Sequence, residues 1–260
     1  MKTLKIMLFV LTAALIAAGC REDSESNKIT GNVRFLSVVK DEIATKSSIE
    51  VDDSAIITIG IHLYDNMGRL AGSYNFSGGK EISIDLPVGE NYMVYALANV
   101  GEVTPPPLES EMREVSIGWP GLAGITSGGF PLAHTGTLTV AQGNNSYTME
   151  FVRLVARYDL VIDRSNLEGS FEVTGVRLRN SAADVFPFST KAATATLEGD
   201  IASPSDLQRL NAGVAVSFYM YENLQGNLLP DNSDPWAKIP DNIPSAQNLC
   251  TFIEIEGRYI

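Results

Sequence analysis

Few side chains in this sequence can do nucleophilic, acid–base or metal chemistry. Cysteine occurs at Cys20 and Cys250 only, and histidine at His62 and His134 only. A zinc site needs Cys and His gathered at short spacing, and none are so gathered. His62, Asp65 and the many serines could nominally supply a base, an acid and a nucleophile. No G-x-S-x-G turn presents any of those serines, so the hydrolase pattern is weak. H-E-x-x-H, P-loop and dinucleotide-binding fingerprints do not occur. Glu50, Asp52, Asp53 and Asp65 are acidic but lack EF-hand spacing, and they read as a solvated face. The expectation is a protein that is not an enzyme and carries no cofactor or metal.

Cys20 is the residue whose surroundings do suggest a reaction. Lys2 and Lys5 precede a run from Ile6 to Ile16 that is apolar apart from Thr12, and Ala17, Ala18 and Gly19 lead into the cysteine. This is the order of a secretory signal peptide. The run is shorter than the roughly 20 apolar residues that span a bilayer. With a cysteine at its end, the segment resembles the bacterial lipobox. That resemblance implies acylation of the Cys20 thiol, cleavage before it, and anchoring to a membrane. Each buried CH₂ of an acyl chain contributes roughly 0.8 kcal/mol. "REDSESNK" then has no apolar residue to pack and should be a hydrated tether. Its acids resemble a surface-export signal of Gram-negative anaerobes, which implies the outer face of the outer membrane. Cys250, left without a partner thiol, reads as a small strand residue in "LCTFIEIEG".

About 240 residues follow the leader, room for one large or two small domains. The hydrophobic fraction is 45%, ordinary for a globular chain. A net charge of −12 argues against nucleic acid as a partner, because phosphate binding depends on clustered Lys and Arg.

The elements that would position any site read as strands. "NVRFLSVV" is rich in branched residues, with Val33, Phe35 and Ser37 on one face and Arg34, Leu36 and Val38 on the other. "AIITIGIHLYD" has the alternation of a half-buried strand, and "EISIDL" puts Ile82, Ile84 and Leu86 on one face. "NYMVYALANV" is a strand that ends at a Pro-rich loop, with Asn99 in a turn. A short helix is expected over Glu109 to Glu114. "GWPGLAGITSGGFPLA" has too much Gly and Pro for a continuous element. Two strands flank a turn at Gly143–Asn145, the second unusually long, with Arg153 and Arg157 on one side of it and available for an ion pair. "SPSDLQRLN" predicts a helix capped by Ser203 or Ser205. Many short strands between turns indicate β-sandwiches.

Four stretches together resemble the fimbrillin family, the type V fimbrial subunit precursors of Gram-negative anaerobes. They are "IGIHLYDNMGRLAGSY", "LPVGENYMVYALANVGE", "FVRLVARYDLVID" and "SFYMYENLQG" followed by "TFIEIEG". The resemblance implies a mainly β fold of two tandem transthyretin-like β-sandwiches. The boundaries are 1–19 for the lipoprotein signal, 20–46 for a tether and removable first strand, 47–152 for the first sandwich and 153–260 for the second. Family members continue past the "TFIEIEG" strand, so the resemblance predicts a second sandwich incomplete at its C-terminus.

The resemblance also implies a fate for the first strand. A surface protease specific for Arg or Lys removes it, and a strand from a neighbouring subunit fills the groove left behind. Lys46, followed by Ser47, is the best candidate cleavage residue, because polar "KDEIATKSS" has the composition of an accessible loop. Lys40 and Arg34 are alternatives. The implied partners are other fimbrial subunits, the outer membrane, and ligands on host or bacterial surfaces. A surface glycan-binding lipoprotein is the alternative, and it would use Trp119 or Trp236 as an exposed platform. Core packing is the commoner duty of such residues.

Overall fold

Alternation of apolar and polar side chains builds the first sheet. In the computed structural model, which describes residues 29–40, 55–224 and 251–260, β1 (Thr30–Val39) buries every second residue from Gly31 to Ser37. Its inward face is the Val33, Phe35, Ser37 face, which settles a choice the sequence left open. β4 (Glu81–Pro87) alternates as expected and buries Ile82, Ile84 and Leu86. β2 (Thr58–Tyr64), β3 (Leu70–Ser77), β5 (Asn91–Ala98), β7 (Leu132–Thr139) and β8 (Asn144–Arg153) complete a seven-stranded sheet in the order β3-β2-β5-β7-β8-β1-β4.

That sheet curls. β7 and β8 pair only at Leu132–Arg153 and Ala133–Val152, and then part toward their connecting turn. The β4-β1-β8 section thereby closes over the β3-β2-β5-β7 section. One apolar core fills the space, with Val33 and Phe35 against Ile61, Leu63, Val94, Met149 and Phe151.

β2 departs from the expected half-buried strand. Both of its faces are covered, and His62 and Tyr64 are fully buried. The cover is the Pro-rich segment and α1 (Glu109–Met112), a shorter helix than expected. Tyr64 donates its hydroxyl to the Pro106 carbonyl (2.9 Å), and Met112 is enclosed beside it. Period-two alternation reports one covered face and cannot show that a distant loop lies over the other.

The stretch expected to be irregular contains a second helix, α2 (Gly121–Gly128), which drives Ile125 into the core. Burial of that one side chain outweighs the weak helix propensity of its glycines. The unusually long strand is two strands. The chain breaks at Leu154, whose N–H donates to the Pro131 carbonyl, and β9 (Val155–Leu160) then leaves the first sheet. The break also separates Arg153 from Arg157. Arg153 donates to the Lys40 carbonyl (3.3 Å), while Arg157 pairs with Asp159 (2.9 Å).

β9 pairs with β13 (Val216–Tyr221). β10 (Phe171–Ala182) lies between β12 (Thr196–Asp200) and β14 (Phe252–Tyr259), all antiparallel. β12 was not legible in advance, since its residues are mostly exposed and carry no alternation. α3 (Pro204–Asn211) starts at Ser203, whose hydroxyl accepts from the Asp206 N–H as an N-cap should. Leu210 of α3 packs with Val173, Val176, Val216 and Phe218. A two-residue pairing of β6 (Ile117–Gly118) with β11 (Asp184–Val185) ties this half of the chain to the segment between β5 and β7. Among the described residues no helix is long and apolar enough to cross a membrane.

Candidate functional site

β1, the first described strand, is paired along both of its edges. β1 runs antiparallel to β4 from Thr30–Pro87 to Leu36–Glu81, and parallel to β8 from Asn32–Asn144 to Val39–Phe151. A strand hydrogen-bonded on both edges is a strand in a slot. The slot's walls are Ile82, Ile84 and Leu86 on one side and Tyr147, Met149 and Phe151 on the other. Val33 and Phe35 are each 0% exposed there. Phe35 meets the Tyr147 ring edge-to-face, with centroids 5.7 Å apart.

Both ends of β1 are fastened. Gly31 passes so close to the β7–β8 turn that a Cβ there would lie 2.7 Å from the Ala141 carbonyl oxygen. Asn145 donates to the Asn32 carbonyl (3.3 Å), and Asn32 donates to Asp85 (2.9 Å). At the other end the Lys40 N–H donates to the Phe151 carbonyl (2.9 Å). One position fits less well. The Ser37 hydroxyl is buried opposite Met149 without a hydrogen-bond partner among the described residues. Leaving a hydroxyl so placed costs about 1–3 kcal/mol.

A polar staple holds the mouth where β7 and β8 part. His134 Nδ1 lies 3.0 Å from the Glu150 carbonyl, which can only accept, so Nδ1 carries the proton. Nε2 therefore accepts from the Tyr147 hydroxyl at 3.0 Å. Burial pushes the His134 pKa down and the Tyr147 pKa up, so the staple stays neutral. The sequence offered one usable hint, the alternation Tyr147, Met149, Phe151, and it did not show that His134 lies across from it.

The nominal hydrolase residues do not assemble. His62 Nδ1 meets Ser73 Oγ (3.1 Å), but its Nε2 is enclosed with no partner among the described residues, and no acid among them orients the ring. Burial lowers the His62 pKa to about 4. Asp65 instead clasps its own turn, accepting from the Met67 and Arg69 N–H groups and pairing with the Arg69 guanidinium. Hydrogen bonds from Arg69 hold its carboxyl below the usual carboxylate range. Asn99 holds a turn, as its type suggests, at φ 60. Its side chain accepts from the Ile57 N–H and donates to the Ala55 and Phe130 carbonyls. Trp119 is half-buried and packs edge-to-face on Tyr221 at 5.0 Å. No group of His, Cys, Asp or Glu among the described residues converges as a metal site.

Cys20, Lys46 and Ser47 lie outside the described residues, as do Glu50, Asp52, Asp53, Trp236 and Cys250. Of the alternative cleavage residues, Arg34 is locked between β4 and β8, and Lys40 is tied at both its N–H and its carbonyl.

Neither a known family profile nor a curated protein matches the sequence. Solved structures do match the fold. Fimbrilin of Porphyromonas gingivalis W83 superposes with a TM-score of 0.52 at 12% identity, over 87% of this chain and 80% of that one. The chain has the fold of fimbrial and cell-adhesion proteins. A candidate cell adhesion protein from Parabacteroides distasonis ATCC 8503 gives 0.56 at 14% identity, over 88% and 78% of the two chains. A further candidate cell adhesion protein, from Bacteroides eggerthii DSM 20697, gives 0.55 at 14%, over 76% and 72%. At such identities the fimbrial likeness is one of fold, carried by a mainly β chain with a curled sheet.

Proposed function

We propose that this chain is a structural or accessory subunit of a cell-surface fimbria. It is exported as a lipoprotein through acylation of Cys20 and assembled by strand exchange after its first strand is removed. The observation that carries the reading is the place of β1. The first described strand of the chain occupies an interior slot, and residues 41–54 separate it from the rest of its own sheet.

The physics of such a slot favours exchange over simple loss. Burying Val33 and Phe35 contributes about 1.5–3 kcal/mol each. Departure of β1 also leaves the edges of β4 and β8 unpaired, and unpaired edges recruit another strand. A foreign strand with an apolar residue opposite Met149 would avoid the unpartnered hydroxyl of Ser37. Replacement is therefore downhill for a strand that otherwise matches β1.

Cleavage after Lys46 would separate β1 from the rest of the chain without cutting any described strand. Limited trypsin treatment of the whole chain, read by mass spectrometry of the new N-terminus, tests the first step. The expected first cut follows Lys46, and Lys46→Ala removes it. An isotope-labelled peptide "TGNVRFLSVV" with Val at the Ser37 position should then enter the cut protein and displace β1. A first cut inside residues 55–160, or a cut protein that never takes up the peptide, would overturn the mechanism.

A further inference from the structure

The slot that holds β1 is tight where β1 enters it. Gly31 is buried there, between Leu86 of β4 and the turn that joins β7 to β8. A Cβ at Gly31 would lie 2.7 Å from the Ala141 carbonyl oxygen and 3.3 Å from the Gly143 carbonyl oxygen. Asn145 Nδ2 would be 3.1 Å away. Gly31 does not have positive φ, so its backbone is one that alanine can adopt. The constraint is one of space alone.

The obstacle is backbone, and it is held from two sides. Asn145 donates to the Ala141 carbonyl (2.9 Å) and to the Gly143 carbonyl (3.2 Å), and it accepts from the Ala141 N–H (2.9 Å). One residue earlier, the Val140 N–H donates to the Glu90 carbonyl (3.1 Å), and the Val140 carbonyl accepts from the Gly89 N–H (2.8 Å). The Ala141 oxygen therefore has little freedom to move away from β1.

The consequence is for register. A one-residue slip of β1 would turn Asn32 and Arg34 inward, and the alternation of the strand opposes it. A two-residue slip keeps the same set of side chains inward, so alternation does not oppose it. Such a slip brings Ile29 or Val33 to the place of Gly31, where the Cβ of either meets the turn. Glycine at that place excludes the slips that alternation allows.

We infer that the Asn145 turn reads the strand entering the β1 slot. It admits a segment of a neighbouring subunit with glycine at the Gly31 place, an aliphatic residue two positions on and an aromatic residue four positions on. Those two side chains take the places of Val33 and Phe35. The choice of partner rests on the strand exchange proposed above. The register does not, because β1 itself obeys it.

The test has two arms. The first uses the whole uncut chain. Replacing a strand glycine by alanine ordinarily stabilises, because it restricts the unfolded chain. Gly199 in β12 has nothing within 4 Å of a built Cβ, so Gly199→Ala is the control and should keep or raise the urea midpoint. Gly31→Ala should lower the midpoint and cut the hydrogen-exchange protection of β1 amides about tenfold. In an Asn145→Ala background, which frees the turn, the cost of Gly31→Ala should shrink by about half or more. A midpoint for Gly31→Ala equal to or above wild type would overturn the proposal, as would an undiminished cost in the Asn145→Ala background. The second arm needs no Gly31 variant to fold. The wild-type chain, cut at a protease site placed within residues 41–54, is offered labelled peptides in equimolar competition. One is "TGNVRFLSVV" with Val at the Ser37 position. The second carries Ala at the Gly31 position, and the third exchanges the residues at the Gly31 and Val33 positions. The second should be taken up about tenfold less than the first, and the third less still. Uptake of the first two within about twofold of each other would overturn the proposal and leave strand exchange standing. Uptake of none would overturn strand exchange and the choice of partner with it, while the urea midpoints still decide the register.

Discussion

Truncating Phe35 should loosen β1 far more than any change on its outer face. Phe35 is fully buried, lies in register with Ile82 and Tyr147, and touches the Tyr147 ring. Removing a buried Phe side chain costs about 3–5 kcal/mol. A tenfold change in an equilibrium takes about 1.4 kcal/mol. Once the chain is cut between β1 and β2, Phe35→Ala should thus weaken retention of the N-terminal fragment by roughly a hundredfold to a few thousandfold. Arg34 is the control on the other face. It meets Glu81 at 3.4 Å with both side chains about half exposed, and such pairs contribute about 0–1 kcal/mol. Ser37→Ala should act in the opposite direction, because it removes a buried hydroxyl that has no partner among the described residues. The assay is a chain with a specific protease site placed within residues 41–54. It is cut to completion, and release of the fragment is followed by size exclusion and mass spectrometry. Phe35→Leu serves as a milder variant if Phe35→Ala fails to fold. Release rates for Phe35→Ala and Arg34→Ala within twofold of each other would refute the docking described here, as would faster release from Ser37→Ala.

Three further outcomes are expected. His62 is fully buried with a pKa pushed down to about 4 by burial, against about 6.5 when unfolded, so its neutral form stabilises the fold above pH 6.5 and that stability is lost as pH falls toward 4. The loss between pH 7.5 and 4.5 is roughly 2 kcal/mol, and urea midpoints of wild type and His62→Gln should show it as a shallower pH slope in the variant. Asn99→Ala should cost about 2–4 kcal/mol, from lost hydrogen bonds and from a left-handed backbone that alanine resists; a melting temperature unchanged from wild type would contradict the turn's role. Cys20→Ala should abolish fatty-acid labelling and release the protein from membranes, and persistent labelling would remove the lipid anchor from the proposal.

The sequence by itself determined what depends on neighbours in the chain. Ile82, Ile84 and Leu86 had to share a face, because the strand period is two whatever else folds around it. A serine had to cap the helix near Leu207, Ser203 or Ser205, since a nearby hydroxyl is the acceptor for that helix's first free N–H groups, and the structure selects Ser203. Asn99 had to sit in a turn. The mainly β character followed from the same local signals, and the order of four short stretches pointed to the fimbrillin family. The tertiary structure decided everything that depends on residues far apart meeting. It chose which face of β1 goes inward, because Met149, Phe151 and Ile82 wait on one side only. It split the long strand at Leu154, where a hydrogen bond to Pro131 redirects the chain. It buried the outer face of β2 beneath a loop some forty residues later, as the bond from Tyr64 to Pro106 records. The β1 slot is likewise a product of strand order. Order is set by the balance of burial over the whole chain, and no local pattern of side chains encodes it.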